Sequence, residues 1–143
     1  PMAYEVFTTL KQAVAAKPAL RDKVRLVSLS FDPLRDTPAV MKAYGGSHVK
    51  NSKGVPWYFL TTQSKQDLLP LVEGLGQDVD VVVDEKTGRV SRTLSHVLKV
   101  FLIDRAGQTR EIYTTSFLIP EVVLNDIETL LLEEAGTTKA AAQ

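Results

Sequence analysis

The chain contains no cysteine among its 143 residues. As written it can form no disulfide, hold no thiolate-bound metal and offer no cysteine nucleophile. It has no excess of charge of either sign, since seventeen basic residues face seventeen acidic ones. Phosphate neutralisation needs a basic surplus or a clear basic stripe, so a nucleic-acid partner is not expected. No apolar run approaches the length of a membrane span, and no signal-peptide pattern is present. Aromatic residues are sparse at 7%, with a single tryptophan. What remains is the balance of one globular domain, 44% apolar and 24% charged, long enough for one core. The sequence opens on Pro1-Met2, which is not a plain translation start, so residues upstream are expected.

Hydrophobic spacing supplies the elements. Phe7, Leu10 and Val14 recur at helical intervals, predicting an amphipathic helix over 4–19. The alternation in 24–31 (VRLVSLSF) predicts a strand. Thr37 is placed to cap a helix whose first residue is Pro38, and that helix ends at Gly45-Gly46. A polar loop is expected over 47–56, with His48 in it as a solvated residue, followed by a short strand at 57–60. Ser64 with Asp67 resembles a capping box opening a helix that closes near Gly74. Stretches 78–83 and 89–94 flank Glu85-Lys86-Thr87-Gly88 and read as a β-hairpin. Strands follow at 97–104 and 109–114, and Pro120 opens a last helix with Val123, Ile127, Leu130 and Leu131 on one face. The order predicts an α/β fold, a central mixed sheet with flanking helices and a hairpin insert, over 1–135. The small, polar residues 136–143 are expected to form a disordered tail.

Two places can carry chemistry. The 32–38 segment (DPLRDTP) leaves the carboxyl end of a predicted strand, where ligands of open α/β sheets gather. Asp32 and Asp36 there can orient a metal ligand or assist a proton transfer. The alternative is that Asp36 and Thr37 cap the next helix while Arg35 makes an ion pair. His96 stands just before an apolar strand, and imidazole is a good ligand for copper or zinc. One imidazole needs two or three further donors, and a lone histidine is often an ordinary loop residue. Gly74 and Gly76 make no phosphate loop, lacking a strand before and a Lys-Ser/Thr after.

Three segments, taken in order, resemble the SCO (SenC, PrrC) family: 30–38 (SFDPLRDTP), 57–61 (WYFLT), and 96–104 (HVLKVFLID) with its histidine five residues before an aromatic-aliphatic-aliphatic-Asp run. The resemblance covers residues 1 to about 132, and the first segment is its most specific part. It implies a thioredoxin-like fold whose first strand is missing from this chain, and a start immediately after the second cysteine of a CxxxC pair. It further implies copper, as Cu(I) or Cu(II), held by that upstream pair and by His96, with Asp32 and Asp36 as outer groups that orient or tune the ligands. The implied role is a metallochaperone in assembly of cytochrome c oxidase, with the oxidase copper subunit or another copper or redox protein as partner. The implied location is extracytoplasmic: periplasmic and membrane-anchored by an upstream segment, or on the mitochondrial inner membrane facing the intermembrane space. Two alternatives stay open, a thiol-disulfide oxidoreductase using the same cysteines, and a cysteine-free interaction domain of a larger redox protein. Ser95 where the family often has Asp, Thr62 where it usually has Gly, and a proline-free turn at 105–107 mark a divergent branch.

Overall fold

The computed structural model describes the chain apart from residues 1, 51–53, 78, 84–89, 97 and 142–143, and apart from the side chains of residues 2, 50, 79–83, 90–96 and 137–141. It divides into two compact units. The first comprises Pro1–Leu26, Lys53–Pro56 and Lys99–Gln143; the second, Val27–Ser52 and Trp57–Leu98.

In the first unit, helix α1 (Met2–Ala15) buries Leu10 and Val14, two of the three residues at the predicted helical spacing. The expected single helix over 4–19 is broken. Pro18 disfavours helical geometry at the residue before it, and Lys17 is extended (φ −106°, ψ 105°). A short α2 (Pro18–Arg21) then restarts with proline in its first turn and buries Leu20. Strands β5 (Lys99–Ile103) and β6 (Thr109–Thr114) form an antiparallel pair. Their turn contains Gly107 at φ +82°, a conformation that costs glycine little. Asp104 fixes this turn, its carboxylate accepting from the Gln108 backbone N–H at 2.9 Å and pairing with Arg110 at 3.3 Å. Those interactions, with the Gln108 amide foremost, hold its pKa below the ordinary value. Helix α6 (Pro120–Ala141) turns Val123 and Ile127 into the core, with Leu130 and Leu131 half-buried. Its backbone stays helical past residue 136, where alanines 140 and 141 favour the helix. The salt bridge between Lys17 and Glu128 ties the α2 entry to α6.

Tyr113 on β6 is buried, and its hydroxyl donates to Asp126 Oδ2 on α6 at 2.6 Å. Burial, then that hydrogen bond and the nearby negative charge, push its pKa well above the ordinary tyrosine value. The folded chain thus holds this proton more tightly than the unfolded one. Its contribution to stability is complete below about pH 10 and is lost as the pH climbs toward the folded value. Urea midpoints taken between about pH 8 and pH 11 should therefore fall more for the wild type than for Tyr113→Phe. Parallel slopes for the two proteins would show that the phenol is not held in this way.

In the second unit the buried apolar residues among those described are Met41, Trp57 and Leu68. Strand β1 (Leu26–Leu29) pairs with β2 (Trp57–Leu60). The Leu26 N–H donates to Pro56 O and the Ser30 N–H to Leu60 O, both at 2.9 Å, so both strands advance together and the pair is parallel. Helix α3 (Pro38–Gly45) links them and packs against β2. Gly45 is required there, since a Cβ would fall against Val49 and 2.7 Å from the Phe59 ring. The expected loop over 47–56 begins instead with a turn of helix, α4 (Ser47–Lys50), after Gly46 has ended α3 at φ +51°. Helix α5 (Lys65–Gly74) starts as predicted, with the Ser64 hydroxyl accepting from the Asp67 N–H at 3.2 Å. Strands β3 (Val79–Val83) and β4 (Val90–His96) form the antiparallel hairpin insert. Its turn over 85–88 lies outside the described residues.

The described strands thus pair as three two-stranded ladders, one parallel and two antiparallel, where the sequence predicts one mixed sheet. No helix among the described residues is long and apolar enough to cross a membrane.

Candidate metal centre

The alternation that makes β1 a strand turns Leu26, Ser28 and Ser30 to one side and leaves Val27 and Leu29 exposed. Ser30, just past the strand, is 8% exposed and organises the DPLRDTP segment. Its hydroxyl donates to Asp36 Oδ2 at 2.5 Å and accepts from the Asp32 backbone N–H at 3.0 Å. The Asp32 carbonyl in turn accepts from the N–H groups of Arg35 (3.1 Å) and Asp36 (2.9 Å), closing one turn. Arg35 pairs with Asp32 at 3.6 Å, as the ion-pair reading expected. Thr37 caps α3 through the Val40 N–H at 3.4 Å. Asp36 does not share that task; its described side-chain partner is Ser30.

Asp32 and Asp36 are therefore brought to one turn around a single serine. The sequence reasoning missed Ser30, although its signal was present: a hydroxyl on the inward register of a strand, two residues ahead of an aspartate. Beyond the Leu60 carbonyl that receives the Ser30 N–H, the Thr61 hydroxyl oxygen is buried without a hydrogen-bond partner.

His48 departs from expectation. Helix α4 carries it half-buried against Trp57, ring centroids 4.8 Å apart, because Trp57 is one of the few large apolar surfaces this unit has to cover. Trp57 also lies 4.6 Å from the Phe59 ring and donates through Nε1 to Ser28 Oγ at 3.0 Å. The imidazole of His48 is thus part of the packing.

His96 is the last residue of β4, its backbone opposite Val79. Its imidazole lies outside the described residues. Among the described residues no three histidine, cysteine, aspartate or glutamate side chains come together as a metal site. With no thiolate anywhere in the chain, the donors present do not make up a copper site by themselves. Soft Cu(I) is held best by sulfur, and carboxylates alone are poor substitutes.

Compared with known proteins, the chain matches the SCO1/SenC family over residues 1–132. No curated protein and no solved structure matches it. The mixed α/β architecture, with small sheets and flanking helices, is consistent with the thioredoxin-like fold of that family. The matched span contains the DPLRDTP turn, the WYFLT strand and the His96 to Asp104 segment. With 132 of its 143 residues inside one family pattern, the chain belongs to the SCO1/SenC family, whose copper-related chaperone and redox work serves oxidase assembly.

Proposed function

We propose that this chain is the scaffold of a metallochaperone that handles copper as cargo for the copper centre of cytochrome c oxidase, and that His96 is its own metal ligand. The observation that carries this reading is the family match across residues 1–132, a span that includes His96; the choice of His96 follows the resemblance of the 96–104 segment to the family's histidine segment. Position in the chain adds support, since His96 closes one strand three residues before the next begins at Lys99. The sulfur donors of a Cu(I) site come from outside these 143 residues, because the chain has none. In this reading Asp32 and Asp36 are outer groups. Anchored through Ser30, they orient a ligand or set its protonation, as carboxylates around metal-binding histidines do. The protein works outside the cytoplasm at a membrane surface, with the oxidase copper subunit or another copper or redox protein as its partner.

The test is a Cu(II) titration of a longer protein that carries this chain together with an upstream cysteine pair, against its two histidine variants. Removing an outer-shell partner alone costs about 10–100-fold in metal affinity, so removing a ligand should cost at least about tenfold. His96→Ala is expected to weaken Cu(II) binding by that amount. His48→Ala is expected to leave affinity unchanged while lowering stability, because its imidazole packs on Trp57. Equal affinities for wild type and His96→Ala would remove His96 from the site.

A further inference from the structure

The sequence has five phenylalanines, four tyrosines and one tryptophan, and three of these sparse rings meet in the second unit. The alternation of β2 puts Trp57 and Phe59 on one face and Tyr58 and Leu60 on the other. Gly45 lets α3 approach Phe59 closely, which brings the preceding residue, Tyr44, to the same ring. Trp57 lies 4.6 Å from Phe59, tilted by 32°, and Phe59 lies 5.9 Å from Tyr44, edge to face at 74°. The three rings form one unbroken series of contacts. Its ends differ in exposure, since Trp57 is 4% exposed and Tyr44 52%.

That difference has a chemical consequence. Indole and phenol give up an electron far more readily than a benzene ring or an imidazole, so Trp57 and Tyr44 are the oxidisable members of the group. Removing an electron from Trp57 leaves a positive charge in a buried site, where a charge is costly. Its N–H is held on Ser28 Oγ at 3.0 Å. A phenol that loses an electron also sheds its proton, and an exposed residue can pass that proton to water. The charge then ends in solvent and the ring is left neutral. Burial therefore sets the direction, with the electron moving inward from Tyr44 and the oxidised state moving outward.

We infer that Tyr44 is the surface exit of an electron-transfer path that runs from Trp57 through the Phe59 ring, and so the site where oxidation of this unit comes to rest. A one-electron oxidant takes an electron from the Trp57 indole and leaves its radical cation. Tyr44 supplies one electron to the indole across Phe59 and gives its phenolic proton to water. Trp57 is restored, and Tyr44 becomes a neutral phenoxyl radical. At the surface an enediol reductant of the ascorbate class returns one electron and one proton to the phenol. No bond between heavy atoms forms or breaks. The path is independent of the copper reading, which concerns His96.

The experiment uses the whole chain and forms the oxidised indole with light. A flash at the red edge of the indole absorption, where phenol does not absorb, excites the single tryptophan. A pentaamminecobalt(III) complex in solution accepts the electron irreversibly. Transient absorption then follows the oxidised indole and the phenoxyl. In the wild type the phenoxyl should grow as the oxidised indole decays, at a rate that does not change with protein concentration. Tyr44→Phe keeps the ring and removes only the hydroxyl. It should abolish that growth and prolong the oxidised indole. Tyr58→Phe should behave as the wild type. Tyr58 follows Trp57 in the chain and is 46% exposed, but it stands on the opposite face of the strand. Circular dichroism on each variant confirms the fold before the flash.

Absence of phenoxyl growth from the wild type overturns the inference, as does growth that survives in Tyr44→Phe. Equal losses in Tyr44→Phe and Tyr58→Phe do the same, because exposure alone would then decide which phenol reacts. A rate proportional to protein concentration would place the two rings on different molecules and also overturn it.

Discussion

Trp57→Ala should destabilise the protein by about 3–5 kcal/mol, the usual cost of emptying a large buried aromatic site. The indole is 4% exposed, and Met41 and Leu68 are the other buried apolar residues described in its unit. Three contacts depend on it: the His48 ring at 4.8 Å, the Phe59 ring at 4.6 Å, and the Ser28 hydroxyl that receives its N–H at 3.0 Å. No neighbouring helix can collapse into the space cheaply. Gly45 already brings α3 as close to Phe59 as a bare backbone allows. Trp57→Phe keeps most of the apolar area and loses the hydrogen bond, so it should cost about 1–2 kcal/mol less than the alanine change. Because Trp57 is the one tryptophan in the sequence, the unfolding curves must be followed by circular dichroism. A loss under about 1 kcal/mol for Trp57→Ala would place the indole outside the core.

The second large effect is expected at Ser30. Its hydroxyl serves two groups at once, donating a hydrogen bond to Asp36 and accepting one from the Asp32 amide. Ser30→Ala leaves a half-buried carboxylate without its donor and an amide without its acceptor. Unmet polar groups of this kind cost about 1–3 kcal/mol, more when one of them is charged. The site makes a sharper prediction than the single variant does. Asp36→Ala and Ser30→Ala remove the two ends of the same hydrogen bond, so the double variant should be less damaged than the sum of the two, by about 0.5–3 kcal/mol. Simple additivity would mean that the two side chains do not act as a unit.

Much of this fold is legible in the sequence because the signals are local. Pro38 after Thr37, Ser64 before Asp67 and Pro120 at the start of α6 each satisfy or dispense with backbone donors at a helix start, and each helix begins there. The strand at Trp57–Leu60 and the pair around Gly107 are read equally well. The signal at Pro18 is local too, but the periodicity of 4–19 hides it, since apolar spacing continues across the break. Helix α4 is harder. Four residues, three of them polar, Ser47–Lys50, become helical as the turn carries His48 onto Trp57, a partner nine residues away that no local pattern announces.

The candidate site divides in the same way. The ion pair of Arg35 with Asp32 and the cap at Thr37 follow from spacing. The tie between Asp36 and Ser30 depends on a strand delivering a hydroxyl to a turn six residues on, and residue type alone does not reveal it. The ligand role of His96 is of another kind. Nothing in spacing distinguishes it from an ordinary strand-end histidine, and it is proposed only from the resemblance of the 96–104 segment to the family's. The proposed copper-handling role therefore rests on one imidazole, whereas the fold rests on many small agreements.

That imidazole is accessible to a direct measurement. With a longer protein that carries this chain and an upstream cysteine pair, labelled with nitrogen-15 only at histidine and loaded with Cu(II), pulsed electron paramagnetic resonance reads nitrogen nuclei coupled to the metal. Coupling to a histidine nitrogen in the wild type and in His48→Ala, and its disappearance in His96→Ala, is the predicted result. Histidine coupling that survives in His96→Ala, or that is absent from the wild type, would contradict it.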